Sequence, residues 1–288
     1  MTDQFSDDRS YDFVKAHGTQ NDFVILPDPD GSVHGPLADA RVRALCDRHA
    51  GIGGDGVLRV IRTAAYAAHW PGAPAASGAE WFMDYRNADG SIAEMCGNGT
   101  RAFAAYLREA GHIGDEVTIA TRAGDKTLTF DGMHWTVDLG EPRLLGWSEV
   151  ALGAATWKAR HVDMGNPHAV ALLDPPPAGG VAVLDLTRQP AYDAGTYPHG
   201  VNVELVERVG DAHLRMRVHE RGVGETRSCG TGIGATAVAA MEADGRIADG
   251  ATYVVDVPGG RLTVTWTPAG HALLTGPADL VARGHTSL

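Results

Sequence analysis

At 288 residues, 44% hydrophobic and 21% charged, the chain has the balance of a soluble globular protein and length for one large domain or two of ordinary size. Its formal charge of −12 argues against a sequence-independent nucleic-acid binder, and no apolar run approaches the roughly 20 residues of a membrane span. Three cysteines form no paired framework, which suits free thiols in a reducing compartment, by default the cytoplasm.

Met1 to Ser10 is polar and acidic, without the basic start and apolar core of a secretory signal, and reads as a disordered tail. Val14 to Leu26 is extended and broken by a turn at Gly18-Thr19-Gln20-Asn21. Pro36 opens a predicted helix through about Arg48, with Leu37, Val42, Leu45 and Cys46 as its apolar stripe and Gly51 at its end. Val57–Ile61 reads as a strand. Ala64 to Ala79, with Pro71, Gly72 and Pro74, reads as a mobile loop or insertion, and Trp81–Tyr85 as another strand. Gly99 to Ala110 is a predicted helix stopped by Gly111. Strand-like stretches follow at Val117–Ala120, Lys126–Phe130, His134–Leu139 and Ala155–Val162. Pro175 to Gly180 is a surface connection. Val201–Val206 and Ala212–His219 read as strands, and Gly232 to Ala243 as a second helix ended by Gly245. Thr252–Val257, Arg261–Thr267 and His271–Thr275 close the chain.

Two cysteines stand in matched settings. Cys96 lies in Met95-Cys96-Gly97-Asn98-Gly99-Thr100 and Cys229 in Ser228-Cys229-Gly230-Thr231-Gly232, 229 − 96 = 133 positions apart, near half the chain. Asn87 precedes Cys96 by nine residues and Glu220 precedes Cys229 by nine; in both halves a strand runs into a polar loop, the cysteine and a helix. The turn at Gly18–Asn21 answers Gly165-Asn166. The helix from Gly232 to Met241 is small or apolar on every side, which marks it as buried. Two halves of one ancestral unit follow, each a strand layer wrapped around one helix.

A thiol at a helix start meets unpaired N–H groups and about half a positive charge, both favouring thiolate. The same N–H groups bind a carboxylate. Two such ends facing one substrate atom give a two-base mechanism: one thiolate takes an α-proton, the other thiol returns one on the opposite face, and the N–H donors stabilise charge moving into the carboxylate. Cys46, on an apolar stripe, reads instead as a small core residue. Lys15, Lys126 and Lys158 are the only lysines, and none lies in a glycine-rich turn suited to a Schiff-base cofactor. Gly232-Ile233-Gly234-Ala235-Thr236-Ala237 fits a dinucleotide fingerprint by letters but lacks the strand that must precede it immediately. The histidines show no ligand spacing, so no metal is expected.

These residues resemble the diaminopimelate epimerase family over about Phe13 to Gly284. The resemblance is carried by Gly18-Thr19-Gln20-Asn21-Asp22-Phe23, by Arg86-Asn87-Ala88-Asp89-Gly90-Ser91 with Cys96 to Arg101, and by Met164 to Val170. It continues through Gly200-Val201-Asn202-Val203-Glu204 and His219 to Thr226 with Cys229 to Gly232. It implies an α+β fold of two pseudo-symmetric domains, each a β-barrel-like sheet around a central α-helix, with the active site in the interdomain cleft. The expected domains are 11–138 plus 275–288, with Cys96, and 139–274, with Cys229. It implies epimerisation of LL-2,6-diaminopimelate to the meso form in lysine and peptidoglycan precursor biosynthesis, with diaminopimelate as the small-molecule partner, no cofactor, and a homodimer.

Carried across, Cys96 and Cys229 are the two bases, with Cys96 acting on the LL form. Gly97, Asn98, Gly230 and Thr231 hold the reacting carboxylate. Asn21, Asn87, Asn166, Asn202, Glu220 and Arg221 hold the amino and carboxylate groups, Arg221 as a bidentate partner. His168 and Glu220 tune the thiols, one near each. Unmatched polar groups would reject monocarboxylic amino acids. The chain departs from many relatives at Gly56, after Asp55, where they carry Gln, and at Thr231 it has Thr for the frequent Ser. Competing readings are a proline or hydroxyproline racemase of the same architecture, a phenazine-pathway type isomerase, which does not need two cysteines, and a redox-sensing dithiol protein.

Overall fold

The computed structural model describes residues 10–70, 77–247 and 250–288, so the expected N-terminal tail, apart from Ser10, lies outside the described residues. The chain divides into two units. The first runs to Trp135 and takes back Pro277–Leu288; the second is Thr136–Gly276.

In the first unit β1 (Tyr11–Gly18) and β2 (Asn21–Pro27) form a hairpin whose turn residues Thr19 and Gln20 have φ of 50° and 61°. Positive φ at both central positions matches the right-handed twist of the strands. Then come α1 (Asp39–Cys46), β3 (Gly56–Arg62), α2 (Thr63–His69), β4 (Trp81–Asn87), α3 (Gly97–Glu109), β5 (Glu116–Ala120) and β6 (Lys126–Phe130). β2 pairs parallel with β3, β3 antiparallel with β4, β4 parallel with β5 and β5 antiparallel with β6, while the C-terminal strand Asp279–Thr286 pairs antiparallel with β1. α3 packs on β1, β2, β3, β6 and that C-terminal strand. One helix touching both margins of a sheet means that the sheet curls around it.

The second unit opens within β7 (Trp135–Asp138) and continues through β8 (Arg143–Leu152), β9 (Ala155–Asp163), β10 (Pro167–Leu172), β11 (Ala191–Tyr192), β12 (Asn202–Gly210), β13 (His213–Glu220) and β14 (Gly224–Thr226). α4 (Gly230–Ala243), β15 (Thr252–Val257), β16 (Gly260–Trp266) and β17 (Ala272–Gly276) complete it, and the C-terminal strand becomes β18 (Asp279–Thr286). β9–β10 is antiparallel, β10–β12 parallel, β12–β13 antiparallel, β13–β15 parallel and β15–β16 antiparallel, the same succession as β1 to β6. α4 is buried along Gly232–Met241 and packs on β9, β10, β12, β13, β15, β16 and β17. The many glycines and alanines of α4, with only apolar residues among its larger buried side chains, allow strands to close on every side of it.

The repeat seen in the sequence is therefore a repeat of topology. The turn at Thr19-Gln20 has its counterpart at Gly165, which has φ of 93°. Two expectations are corrected. Thr63–His69 is helix rather than loop: alanines favour helix, and Tyr66 anchors the turn in a buried cluster with Ile61 and Phe82. Pro71, Gly72 and Pro74 lie outside the described residues. The first helix begins at Asp39, not Pro36, and β8, β10 and β18 were not anticipated. β8 alternates exposed and half-buried residues and so lacks an apolar run to betray it.

Candidate active site

Cys96 is the N-cap of α3, with φ −144° and ψ 121°, and its sulfur accepts the Gly99 N–H at 3.4 Å. That geometry places a sulfur where an oxygen usually caps the helix. The β1–β2 turn delivers Asn21 beside it: Cys96 Sγ donates to Asn21 Oδ1 at 3.4 Å, and Asn98 Nδ2 donates to the same oxygen at 3.3 Å. Asn21 Nδ2 donates to Asp55 Oδ2 at 2.8 Å, which fixes the amide's orientation. Arg48 Nη2 holds both Asp55 Oδ1 and Asp22 Oδ1 at 2.7 Å. Burial and the neighbouring Asp22 carboxylate raise the Asp55 carboxyl above its ordinary range. Burial pushes Asp22 the same way, but bonds from Arg48 and Lys15 win and hold it well below. The structure thus brings together Asn21, Cys96, Gly97 and Asn98. Asn87, at the end of β4, donates to Ser91 Oγ at 3.0 Å and belongs to the loop leading to the cysteine.

In the second unit Cys229 is the N-cap of α4, with φ −123° and ψ 113°. Four of the expected residues form a continuous polar chain there. His168 Nε2 lies 3.1 Å from Asn166 Oδ1, Asn166 Nδ2 donates to Thr231 Oγ1 at 3.5 Å, and Thr231 Oγ1 is 3.6 Å from Cys229 Sγ. Asn202, at the start of β12, accepts the Arg221 N–H at 2.9 Å and donates to the Pro167 carbonyl at 3.2 Å, tying the β13–β14 turn to β10. Glu220 accepts a hydrogen bond from the Thr226 hydroxyl. Gly230 is buried in the first turn of α4, whose N–H groups lack intrahelical acceptors.

The environment of Cys229 departs from the expectation that a helix start favours thiolate. Burial pushes this thiol well above its ordinary range, and the Glu220 and Glu204 carboxylates add to the effect; Thr231 and the Gly232 N–H oppose it. Desolvation of an anion outweighs half a helix-end charge. Cys46 behaves as a core residue: burial pushes its thiol up to about 12.

Two further buried charged residues, one in each unit, stand out. Glu204 is fully buried, with Oε1 2.7 Å from His168 Nδ1, and burial raises its carboxyl to about 7 against the opposing pull of His168. Arg101 is fully buried in α3. Each had a signal: a carboxylate inside the apolar stretch Val201–Val206, and an arginine inside a run of small and apolar residues from Gly99 to Ala104. Among the described residues no group of three or more His, Cys, Asp or Glu could hold a metal ion.

The sequence pattern of the diaminopimelate epimerase family matches residues 13–145 and 160–281. The chain is 52% identical over 281 residues to the diaminopimelate epimerase of Streptomyces coelicolor, covering 94% of each. It is 49% identical over 280 residues to that of Thermobifida fusca, covering 96% of this chain and 98% of the other. Among solved structures, a hydroxyproline epimerase from Agrobacterium vitis matches with a TM-score of 0.67 at 16% identity, over 96% of this chain and 92% of that one. A phenazine biosynthesis protein of the PhzF family from Bacillus anthracis matches at 0.63 and 15%, over 96% and 99%.

Proposed function

Because this chain belongs to the diaminopimelate epimerase family, its activity is the epimerisation of diaminopimelate, and we propose that Cys96 and Cys229 carry it out as paired acid and base. The observation that supports this assignment is the repeat itself: each unit presents a cysteine as the N-cap of its central helix, linked to an asparagine of a β-hairpin turn, directly for Asn21 and through Thr231 for Asn166.

In this reading one sulfur, as thiolate, forms an S–H bond as the substrate Cα–H bond breaks, and the electron pair moves into the α-carboxylate. The first-turn N–H groups of Gly97 and Asn98, and of Gly230 and Thr231, receive that charge. The second sulfur gives its proton to the opposite face, so the negative charge passes from one cysteine to the other and no net proton is lost. The mechanism requires both sulfurs to reach one carbon. Asn21, Asn87, Asn166, Asn202, Glu220 and Arg221 bind the amino and carboxylate groups, and His168 and Glu220 adjust the thiols.

The likeness to hydroxyproline and phenazine-type enzymes is one of fold at about 15% identity, whereas the near-half identity is to diaminopimelate epimerases. The family further suggests a homodimer acting in the cytoplasm. Among the described residues no helix is long and apolar enough to cross a membrane. Deuterium incorporation at Cα in deuterated water, under reducing conditions, tests the whole reading. Exchange is expected with LL- and meso-diaminopimelate; exchange with proline alone overturns it. Cys96→Ala and Cys229→Ala should each abolish net epimerisation, and full activity in either variant would sink the two-thiol mechanism.

A further inference from the structure

The two cysteines sit among charges of opposite sign: an arginine on α3 near Cys96, and the Glu204 and Glu220 carboxylates of β12 and β13 near Cys229. Arg101 is fully buried on the first turns of α3. It donates to the Gly97 carbonyl at 3.2 Å, Asn98 Oδ1 at 2.9 Å, Thr19 Oγ1 at 3.5 Å and the Pro277 carbonyl at 3.4 Å. All four acceptors are neutral, and among the described residues no carboxylate lies within ion-pair distance of it. A guanidinium buried without an anion is costly, and an anion forming beside it would offset that cost. The anion in reach is sulfur. Gly97 follows Cys96 directly, and Asn98, which Arg101 holds, shares with Cys96 the same Asn21 oxygen. Burial pulls the guanidinium down to about 10, still protonated at neutral pH, and the charge that pushes back is the Cys96 thiolate.

The second unit has no such cation at this place. The offset of 133 that relates Cys96 to Cys229 takes Arg101 to Gly234, where even a β-carbon would lie 2.8 Å from Leu139 Cδ1. Glu204 and Glu220 bear on Cys229 instead, both disfavouring its thiolate.

Most other charged groups on the elements packed against the two helices have partners of their own. On the strands against α3, Lys15 pairs with Asp22, His17 with Asp279, Arg59 with Asp84, Arg62 with Glu80, Arg283 with Glu109 and His285 with Asp12; Lys126 opens β6. Asp55 stands one amide away from the Cys96 sulfur, through Asn21. Around α4, His168 pairs with Glu204, Arg143 with Asp163, Arg160 with Glu242, and Arg215 with Glu207. Arg208 pairs with Asp244, Arg217 with Glu225, and His213 and Arg261 with Asp256. Lys158 lies over the Trp147 ring, His161 against Tyr197, and His219 in β13 pairs in register with Glu225.

We propose that Arg101 is a positioning residue that supplies the counter-charge of the Cys96 thiolate, so that Cys96 ionises ahead of Cys229. This deepens the two-thiol reading and rests on it. In the thiol form Cys96 donates to Asn21 Oδ1; when the proton leaves, Gly99 N–H and the charge of Arg101 hold the anion. Arg101 touches no reacting atom, and its effect is to decide which sulfur starts as base.

The test is alkylation of the whole protein by iodoacetamide between pH 5 and 10, with each cysteine followed by peptide mass spectrometry. The pH midpoint is read rather than the rate, because the two thiols differ in exposure. In the unaltered protein the Cys96 midpoint is expected at least one pH unit below that of Cys229. Arg101→Met should raise the Cys96 midpoint by one unit or more, about a tenfold loss of thiolate at neutral pH, while Arg101→Lys retains most of the original value. A lower midpoint for Cys229, or superimposable Cys96 curves with and without Arg101, overturns the proposal. The comparison within the unaltered protein stands even if Arg101→Met does not fold. Deuterium exchange into diaminopimelate is scored separately: its absence with the expected midpoints overturns the substrate reading and leaves this inference intact, and the reverse result does the opposite.

Discussion

Gly56 and Asn202 occupy the same place in their two units. Gly56 opens β3 opposite Phe23, and Asn202 opens β12 opposite His168; Phe23 and His168 each stand two residues after the turn asparagines Asn21 and Asn166. Asn202 uses its amide to hold the Arg221 N–H and the Pro167 carbonyl. A β-carbon on Gly56 would lie 2.5 Å from the Arg86 carbonyl oxygen and 2.7 Å from the Tyr85 ring. In this chain the close approach of β4 leaves no room for a side chain at position 56. Gly56→Gln should destabilise the protein by about 2–3 kcal/mol, read from urea unfolding midpoints, and an unchanged midpoint would show that β4 can move aside.

Gly200 makes room for Arg221. It has φ of 82°, and a β-carbon there would approach Arg221 Cγ at 3.0 Å. Gly200→Ala should strain the backbone by roughly 1 kcal/mol and push Arg221 aside. The expected outcome is a KM for diaminopimelate raised about tenfold, near 1.4 kcal/mol of binding, with kcat little changed. A fall in kcat at constant KM would mean that Arg221 does not bind substrate.

Asp55 supports Asn21 from behind. Asp55→Ala removes the acceptor of the Asn21 amide and frees Arg48 from one of its partners. The Asn21 carboxamide, and with it the alignment beside Cys96, loses its fixed orientation. A roughly ten- to hundredfold loss of kcat is expected, since small misplacements at a reacting centre cost that much. Steady-state rates with LL-diaminopimelate check it.

Glu204 makes stability depend on pH. Its carboxyl has an ordinary value of 4.5 and is raised to about 7 by burial in the native state. Between those values the native protein keeps a proton that the unfolded chain has released, so this contribution to stability falls as pH rises from about 4.5 to 7 and is level above that. Glu204→Gln cannot ionise. Its stability relative to the unaltered protein should therefore climb across this window, and a flat difference in urea midpoints would contradict the buried titration.

Much of this was legible in the sequence because polar residues interrupt apolar strands only where something requires them. Asn21, Asn166 and the two cysteines sit at turns and helix starts, which glycines and spacing reveal. The second central helix could be read because side chains that are small or apolar on every face leave burial as the sole explanation, and the first because Gly111 marks its end. β8 could not, since its alternation is half-buried against exposed rather than apolar against polar. Arg101 and Glu204 were visible as letters but not as roles: their meaning lies in what is absent around them among the described residues, an anion for one and any hydrogen-bond partner for Oε2 of the other. The state of Cys229 turned on the same kind of fact. A helix start is written in the sequence, whereas burial near two carboxylates is not.

The antiparallel pairing of β1 with β18, from Tyr11 opposite Thr286 to His17 opposite Asp279, bears on how the chain is made. The second unit is one uninterrupted stretch, and everything it needs exists once Gly276 has been synthesised. The first unit, although most of it emerges earlier from the ribosome, keeps an open sheet margin at β1 until β18 has been made. Vectorial synthesis thus reverses the usual order, in which the N-terminal domain finishes first. The half that carries Cys96 closes after the half that carries Cys229, and loss of β18 would strike Cys96 rather than Cys229, which lies much nearer to it in sequence.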